Sequence, residues 1–377
     1  MMPFSIFRIW ALGLLGLAAL GIGGYLFYDW YYYDDENRTK FYWACGLLAY
    51  AMLPQLTVRP LLGGLRLGST DPEPTLPKPE EAIVRGDHTK LQTYTYRNAQ
   101  GPVYILTHGW SLNHTVWNDA LPTLLPRGEV ITWDLRGLGR SDCPSDNVYS
   151  LEAMARDLAA VTGLAGTRPV ILVGHSIGGM ITQTFCRLFP ELLGPRVVGL
   201  VLVDTSYTNP VRTAWGASLW KILQKPLLEP LLHLTIWLSP LVRLSNLSSY
   251  WNGSTHWTTR LTSFAGKQSW RQLDKACRLS AFASPAVVAR GMFGMLRFDE
   301  QATLPSIPIP VTVVAGVNDR ITLPEANQHI VTTVPVGYYV PLDPGGHLSL
   351  LEDAPQVAAA IVLAKTASPK LPLAKTA

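Results

Sequence analysis

The sequence predicts an α/β fold, with a mostly parallel central sheet covered on both faces and broken by one helical insertion. Three observations carry this. Short runs rich in valine and isoleucine recur along the chain, helical patterns lie between several of them, and the rhythm stops between 206 and 304. Strands buried on both faces read as continuous apolar runs, and their alternation with helices marks crossover connections.

The expected strands are PVYILTHG (102–109), EVITWDLRG (129–137), PVILVGHS (169–176), VVGLVLVD (197–204), PVTVVAGVND (310–319) and YYVPLD (338–343), the last interrupted by Pro341. A helix is expected from near Leu151 (LEAMARDLAAVTGLAG). The sheet domain therefore reads as 84–205 plus 305–364. The stretch 206–304 is too long for a crossover loop and reads as a helical cap. It carries tryptophans at 215, 220, 237, 251, 257 and 270, expected to face the core or a ligand.

Of the 377 residues, 48% are hydrophobic and 15% charged, an apolar balance concentrated in the first sixty. Ile9 to Tyr28 are twenty uncharged residues, about 30 Å as a helix, enough to cross a bilayer core. Tyr25, Tyr28, Trp30, Tyr31, Tyr32 and Tyr33 form an aromatic flank like an interfacial belt. A cleaved signal would need a clearer n-region than Arg8 and a small-residue cleavage site. An uncleaved, single-pass anchor over 1–33 is thus expected, ahead of a cleaved signal or a buried soluble helix.

A second apolar run, Phe41 to Val58, fits a second membrane helix, an interfacial helix or a helix docked on the catalytic domain. With one crossing, Arg8 inside and Asp34–Glu36 outside place the catalytic domain externally; a second crossing returns it. Residues 34–83 hold this run and a proline-rich linker (69–82), and 365–377 reads as a flexible tail. On this reading, deleting 1–33 would hardly change turnover of a water-soluble ester.

The net charge of +4 shows no basic stripe, so no nucleic-acid partner is expected. Cys45, Cys143, Cys186 and Cys277 are scattered without zinc-ligand spacing. Asn113, Asn246 and Asn252 begin N-x-[ST] sequons, which are too short to assign a compartment.

The chemistry-bearing motif is G-x-S-x-G at Gly174–Gly178, between a strand and a helix. Small residues permit the tight turn that projects the Ser176 hydroxyl, and the new helix start favours a nearby anion. A serine hydroxyl needs a base and a group to orient that base. His347, in the glycine-rich loop DPGGHLSLLEDAP, is the expected base. Asp319, closing the strand of VVAGVNDRITLP, is the expected acid, with Asp204 the rival and Asp343 structural. The oxyanion donors are expected to be the backbone amides of Ile177 and Trp110. His108 and Gly109 shape the THGW loop, and Asp134 and Arg136 anchor WDLRGLGRSD through an internal salt bridge or loop contacts.

Taken in order, THGW, WDLRGLGRSD, GHSIGG, AGVNDRIT and GGHLSLLEDAP resemble the α/β-hydrolase superfamily over 84–364. The resemblance implies Ser176 as nucleophile, Asp319 as acid, His347 as base and a cap over 206–304. It spans carboxylesterases, lipases, carbon–carbon bond hydrolases, cofactor-free perhydrolases and acyltransferases. Related epoxide and haloalkane hydrolases would carry aspartate where this chain has Ser176. The expected function is a membrane-anchored serine carboxylesterase or lipase-like enzyme, needing no metal or organic cofactor and acting on a hydrophobic ester. Carbon–carbon bond hydrolysis and acyl transfer are the alternatives; a binding-only role would not need the set of catalytic residues.

Overall fold

The computed structural model describes residues 3–52, Pro74 and 80–366. Most of the expected linker and nearly all of the expected tail lie outside these residues.

An eight-stranded sheet forms the centre, in the order β1-β2-β4-β3-β5-β6-β7-β8. The strands are β1 (Glu80–Val84), β2 (Lys90–Tyr96), β3 (Val103–Thr107), β4 (Glu129–Trp133), β5 (Val170–His175), β6 (Val197–Val203), β7 (Val311–Gly316) and β8 (Gly337–Leu342). From β4 to β8 along the sheet every pairing is parallel. β1 and β2 add antiparallel to that edge. Pro341 sits in β8, an edge strand, where a missing N–H is tolerated.

Sequence reading missed β1 and β2. β1 alternates exposed and half-buried positions, so its glutamates looked like linker charge. β2 (KLQTYTY) is buried but built from threonine, tyrosine and glutamine rather than aliphatic side chains. The sheet domain thus begins at Glu80, inside the expected linker and before the expected boundary at 84. It ends with a helix that runs to Thr366, two residues past the expected 364.

α3 (Leu151–Gly163) and α4 (Ile177–Leu188) pack on the sheet. The Ser150 hydroxyl accepts from the Ala153 amide and caps α3. Between β6 and β7 the chain is helical: α5 (Ala217–Leu223), α6 (Glu229–Trp237), α7 (Ser239–Trp251), α8 (Ser254–Ser263), α9 (Trp270–Phe282) and α10 (Pro285–Leu296). α11 (Pro324–Thr333) and α12 (Ala354–Thr366) complete the sheet domain.

The amino terminus departs from expectation. α1 (Pro3–Tyr33) does not stand apart from the catalytic domain but lies along α7 of the cap. Gly13, Gly16, Ala19 and Gly23 form one buried face, a small-residue stripe that permits close helix approach. A Cβ on Gly13 would overlap the Ser245 carbonyl, and one on Gly16 would overlap the Ser248 hydroxyl. Two cap side chains reach backbone carbonyls of α1: Ser245 Oγ donates to Trp10 O at 2.9 Å and Asn252 Nδ2 to Leu12 O at 3.3 Å. Buried as it is, Asn252 has no room for a glycan.

α2 (Arg38–Met52) folds back on α1, so the second apolar run packs chiefly on the amino-terminal helix rather than on the catalytic domain. Lys40 holds the turn by pairing with Asp29 at 2.6 Å and Asp34 at 2.8 Å. With 15 residues, α2 spans about 22 Å, short of a bilayer core. Residues 53–58 of that run lie outside the described residues.

Candidate active site

The expected site residues lie at the carboxyl ends of parallel strands: Trp110 beyond β3, Ser176 at the end of β5, Asp319 beyond β7 and His347 beyond β8. That edge is where open α/β sheets form their crevices. The β5–α4 turn holds Ser176 at φ 55° and ψ −118°, a conformation that costs a non-glycine residue. Glycine is needed on both sides. A Cβ on Gly174 would overlap the Gly178 carbonyl, and one on Gly178 would lie 2.5 Å from Thr107 O.

Ser176, His347 and Asp319 form one hydrogen-bonded chain. The Ser176 hydroxyl donates to His347 Nε2 at 3.0 Å, and His347 Nδ1 donates to Asp319 Oδ2 at 2.9 Å. The carboxylate sets this tautomer, because it can only accept. Asp319 is itself held: Oδ1 accepts from the Ile321 and Thr322 amides at 2.7 and 3.1 Å, and Oδ2 from the Thr322 hydroxyl at 2.6 Å.

The rival carboxylate is engaged elsewhere. Asp204 accepts from the Gly316 amide and the Ser349 hydroxyl and makes no hydrogen bond to His347. Complete burial, reinforced by the negative charge of Asp319, pushes its carboxyl above the usual range. Asp343 is exposed in the turn before the His347 loop.

The amides of Ile177 and Trp110 donate to no backbone carbonyl. One opens α4 and the other lies in the loop after β3, so both are free to serve an oxyanion. The Trp110 ring has a separate task. Its Nε1 donates to Val288 O at 2.9 Å, pinning the loop to α10. The ring fills the space over Gly291, where a Cβ would overlap it. Gly291→Ala is therefore expected to destabilise the protein by about 1–3 kcal/mol through overpacking. A urea titration should show a lower midpoint at unchanged slope; an unaltered midpoint would contradict this packing.

His108 and His175 are fully buried and neutral. Desolvation lowers His108 to about 4. Its Nδ1 donates to Gly109 O at 2.8 Å while Nε2 accepts from the Leu135 amide at 3.0 Å, so it braces two loops. Burial and the neighbouring His347 hold His175 well below the ordinary histidine range. Its Nε2 donates to His347 O at 2.8 Å, which supports the backbone at His347.

In the WDLRGLGRSD loop the charges do not pair with each other. Asp134 accepts from His114 Nδ1 at 2.9 Å and the Arg140 amide at 3.0 Å. Arg136 clamps Asp157 with two bonds of 2.6 and 2.7 Å. Both residues anchor the loop.

Thr322 and Glu352 escaped sequence reading. Glu352 Oε1 accepts from the amides of Ala265, Gly266 and Lys267 at 2.8, 2.9 and 3.1 Å, and Oε2 from Gly346 at 2.8 Å. It ties the α8–α9 loop of the cap to the turn carrying His347. The available signal is the acidic pair Glu352–Asp353 closing the apolar run HLSLL.

The void beside Ser176 is lined on the cap side by Thr258, Thr259, Thr262, Ser263 and Ser280, with Ala276 and Met295. Of the cap tryptophans, expected to face the core or a ligand, Trp220, Trp257 and Trp270 pack on the core and none lines the cavity. Trp215, Trp237 and Trp251 are exposed, Trp220 is buried, and Trp270 stacks on His256 at 5.0 Å. Their hydrophobicity says nothing about the ligand. Among the described residues no cluster of side chains suits a metal ion.

Fold and site together define a hydrolase of the α/β class. A family model described as the alpha/beta hydrolase family matches residues 104–360, and the chain belongs to that family. It is 26% identical to the proposed carbamate hydrolase RutD of Pseudomonas savastanoi pv. phaseolicola, over 68% of this chain and 91% of that protein. A thermophilic esterase from Thermogutta terrifontis superposes with a TM-score of 0.58 at 25% identity, covering 75% of this chain and 96% of the esterase. A bacterial membrane phospholipase A shares the fold at 20% identity, with a TM-score of 0.60 over 86% of this chain and 96% of that one.

Proposed function

We propose that this protein is a serine carboxylesterase that works through an acyl-enzyme and is held at a membrane by α1. The observation that carries the chemistry is the hydrogen-bonded chain Ser176–His347–Asp319 opening onto a cavity. His347 Nε2 takes the proton as Ser176 Oγ attacks the carbonyl carbon. The Ile177 and Trp110 amides receive the oxyanion. Protonated His347 then gives its proton to the departing alcohol. Water attacks the acyl-enzyme with His347 again as base, and Ser176 is restored. The similarity to an esterase supports this reading. The same site would accept a carbamate carbonyl, the bond class named for RutD. A fluorophosphonate probe should label wild-type protein and not a Ser176→Ala variant, and turnover of p-nitrophenyl esters against carbamates should favour the esters. Unlabelled, folded wild-type protein would reject the assignment.

The membrane reading is supported by the outward face of α1. Trp10–Tyr33 is long and apolar enough to cross a bilayer. Leu14, Leu15, Leu20 and Ile22 are exposed on that helix, as are Leu241 and Leu244 on the adjoining α7. Lipid would remove this surface from water, which is favourable at roughly 25 cal/mol per Å². Full-length protein should therefore resist carbonate extraction and float with vesicles. Because α1 also covers α7, deleting residues 1–33 should now lower kcat/KM on a soluble ester as well as on a vesicle-embedded one. Release of full-length protein by carbonate would reject the spanning helix, and unchanged activity of the truncated chain on the soluble ester would reject the structural role of α1.

A further inference from the structure

A second void lies within the cap, lined by Val242, Val288, Thr235, Asn246, Thr255 and, from the amino-terminal helix, Trp10. Ser111 and Ser280 line both this void and the one at Ser176. Hydroxyls line both voids, and the far one sets Val242, Ala281, Pro285, Val288 and the Trp10 indole beside them. The Trp10 indole N–H is buried and has no hydrogen-bond partner. Its backbone, by contrast, is fixed to the cap through Ser245. The void is thus closed in part by a residue some hundred and sixty positions upstream of the nucleophile, on a helix outside the catalytic fold.

We propose that the two voids form one passage for the acyl chain of the substrate, and that Trp10 of α1 is its end wall and selects chain length. The proposal rests on the ester-hydrolase reading of Ser176. An acyl group bound to Ser176 Oγ passes Ser111 and Ser280, and its tail enters the far void against Val242, Pro285 and Val288. The substrate class is then an ester whose acyl chain extends beyond the void at Ser176 into the far one. The anchor helix is then also a specificity element. Apolar pockets discriminate by the methylenes they admit, with one methylene worth about tenfold or more in kcat/KM.

The experiment measures kcat/KM of full-length protein in detergent on p-nitrophenyl acetate, butyrate, octanoate, dodecanoate and palmitate. Trp10→Ala removes the wall and is expected to raise the palmitate-to-butyrate ratio about tenfold. Val242→Phe fills the void from the cap side and is expected to lower the same ratio by a similar factor. Leu20→Ala, on the exposed face of α1, serves as the control and should keep the wild-type ratio. Circular dichroism checks the fold of each variant. A folded Trp10→Ala protein with the wild-type ratio, or one losing activity equally on every ester, would overturn the proposal. If Trp10→Ala does not fold, Val242→Phe decides: an unchanged ratio overturns it. Failure of the esterase reading would look different, since wild-type protein would then turn over no ester in the series.

Discussion

Replacing Ser176 by alanine is expected to lower kcat on a short p-nitrophenyl ester about ten-thousandfold or more while leaving the fold intact. The hydroxyl is the group that would bond to the acyl carbon, so nothing nearby substitutes for it. Loss of its hydrogen bond to His347 should be a small structural change, since that bond links a side chain to a base already held from the other side. Alanine also accepts the left-handed backbone no worse than serine does. Stability should therefore hold within about 1 kcal/mol, the usual scale of one hydrogen bond. Stopped-flow measurement on purified variant and wild type, with urea titrations of both, checks rate and fold together. Turnover by a folded variant within tenfold of wild type would transfer the nucleophile role elsewhere.

Asp319→Asn should cost about ten-thousandfold in kcat, whereas Asp204→Asn should cost about tenfold or less. The contrast follows from what each carboxyl does. Asp319 accepts from His347 Nδ1 and stays an acceptor while the imidazole becomes cationic. An amide there can present its NH₂ to Nδ1, which favours the wrong tautomer and withholds the compensating charge. Asp204 is already pushed toward its neutral form by burial and by Asp319. A carboxamide resembles a neutral carboxyl in shape and donor pattern. The Ser349 hydroxyl that now donates to Asp204 can rotate and accept instead. Steady-state kcat/KM of the two folded variants on one ester decides the matter. A larger loss for Asp204→Asn would move the acid role to that residue.

Much of the site was legible before any coordinates. Motifs mark Ser176, Asp319, His347, Ile177 and Trp110, and His347 lies within hydrogen-bond reach of both Ser176 and Asp319. The reason is that their requirements are local. A tight strand-to-helix turn needs glycines at fixed offsets, and buried parallel strands need aliphatic runs. The short β2, built from threonine and tyrosine, and the charged edge strand β1 lack that signature and were missed.

The choice between Asp319 and Asp204 was not local. Both end neighbouring strands, and only the packed loops show which carboxylate faces His347 and which is enclosed by Gly316 and Ser349. Composition likewise records that the cap is rich in tryptophan, but not that Trp220, Trp257 and Trp270 turn to the core while Trp215, Trp237 and Trp251 face outward. The amino-terminal helix is the clearest case. Its length, lack of charge and glycine content were written in the sequence, and they are the properties of a membrane helix. That Gly13 and Gly16 seat it against Ser245, Ser248 and Asn252 depends on residues more than two hundred positions away. Local periodicity determines what a segment can bury; only the tertiary structure decides against what it is buried.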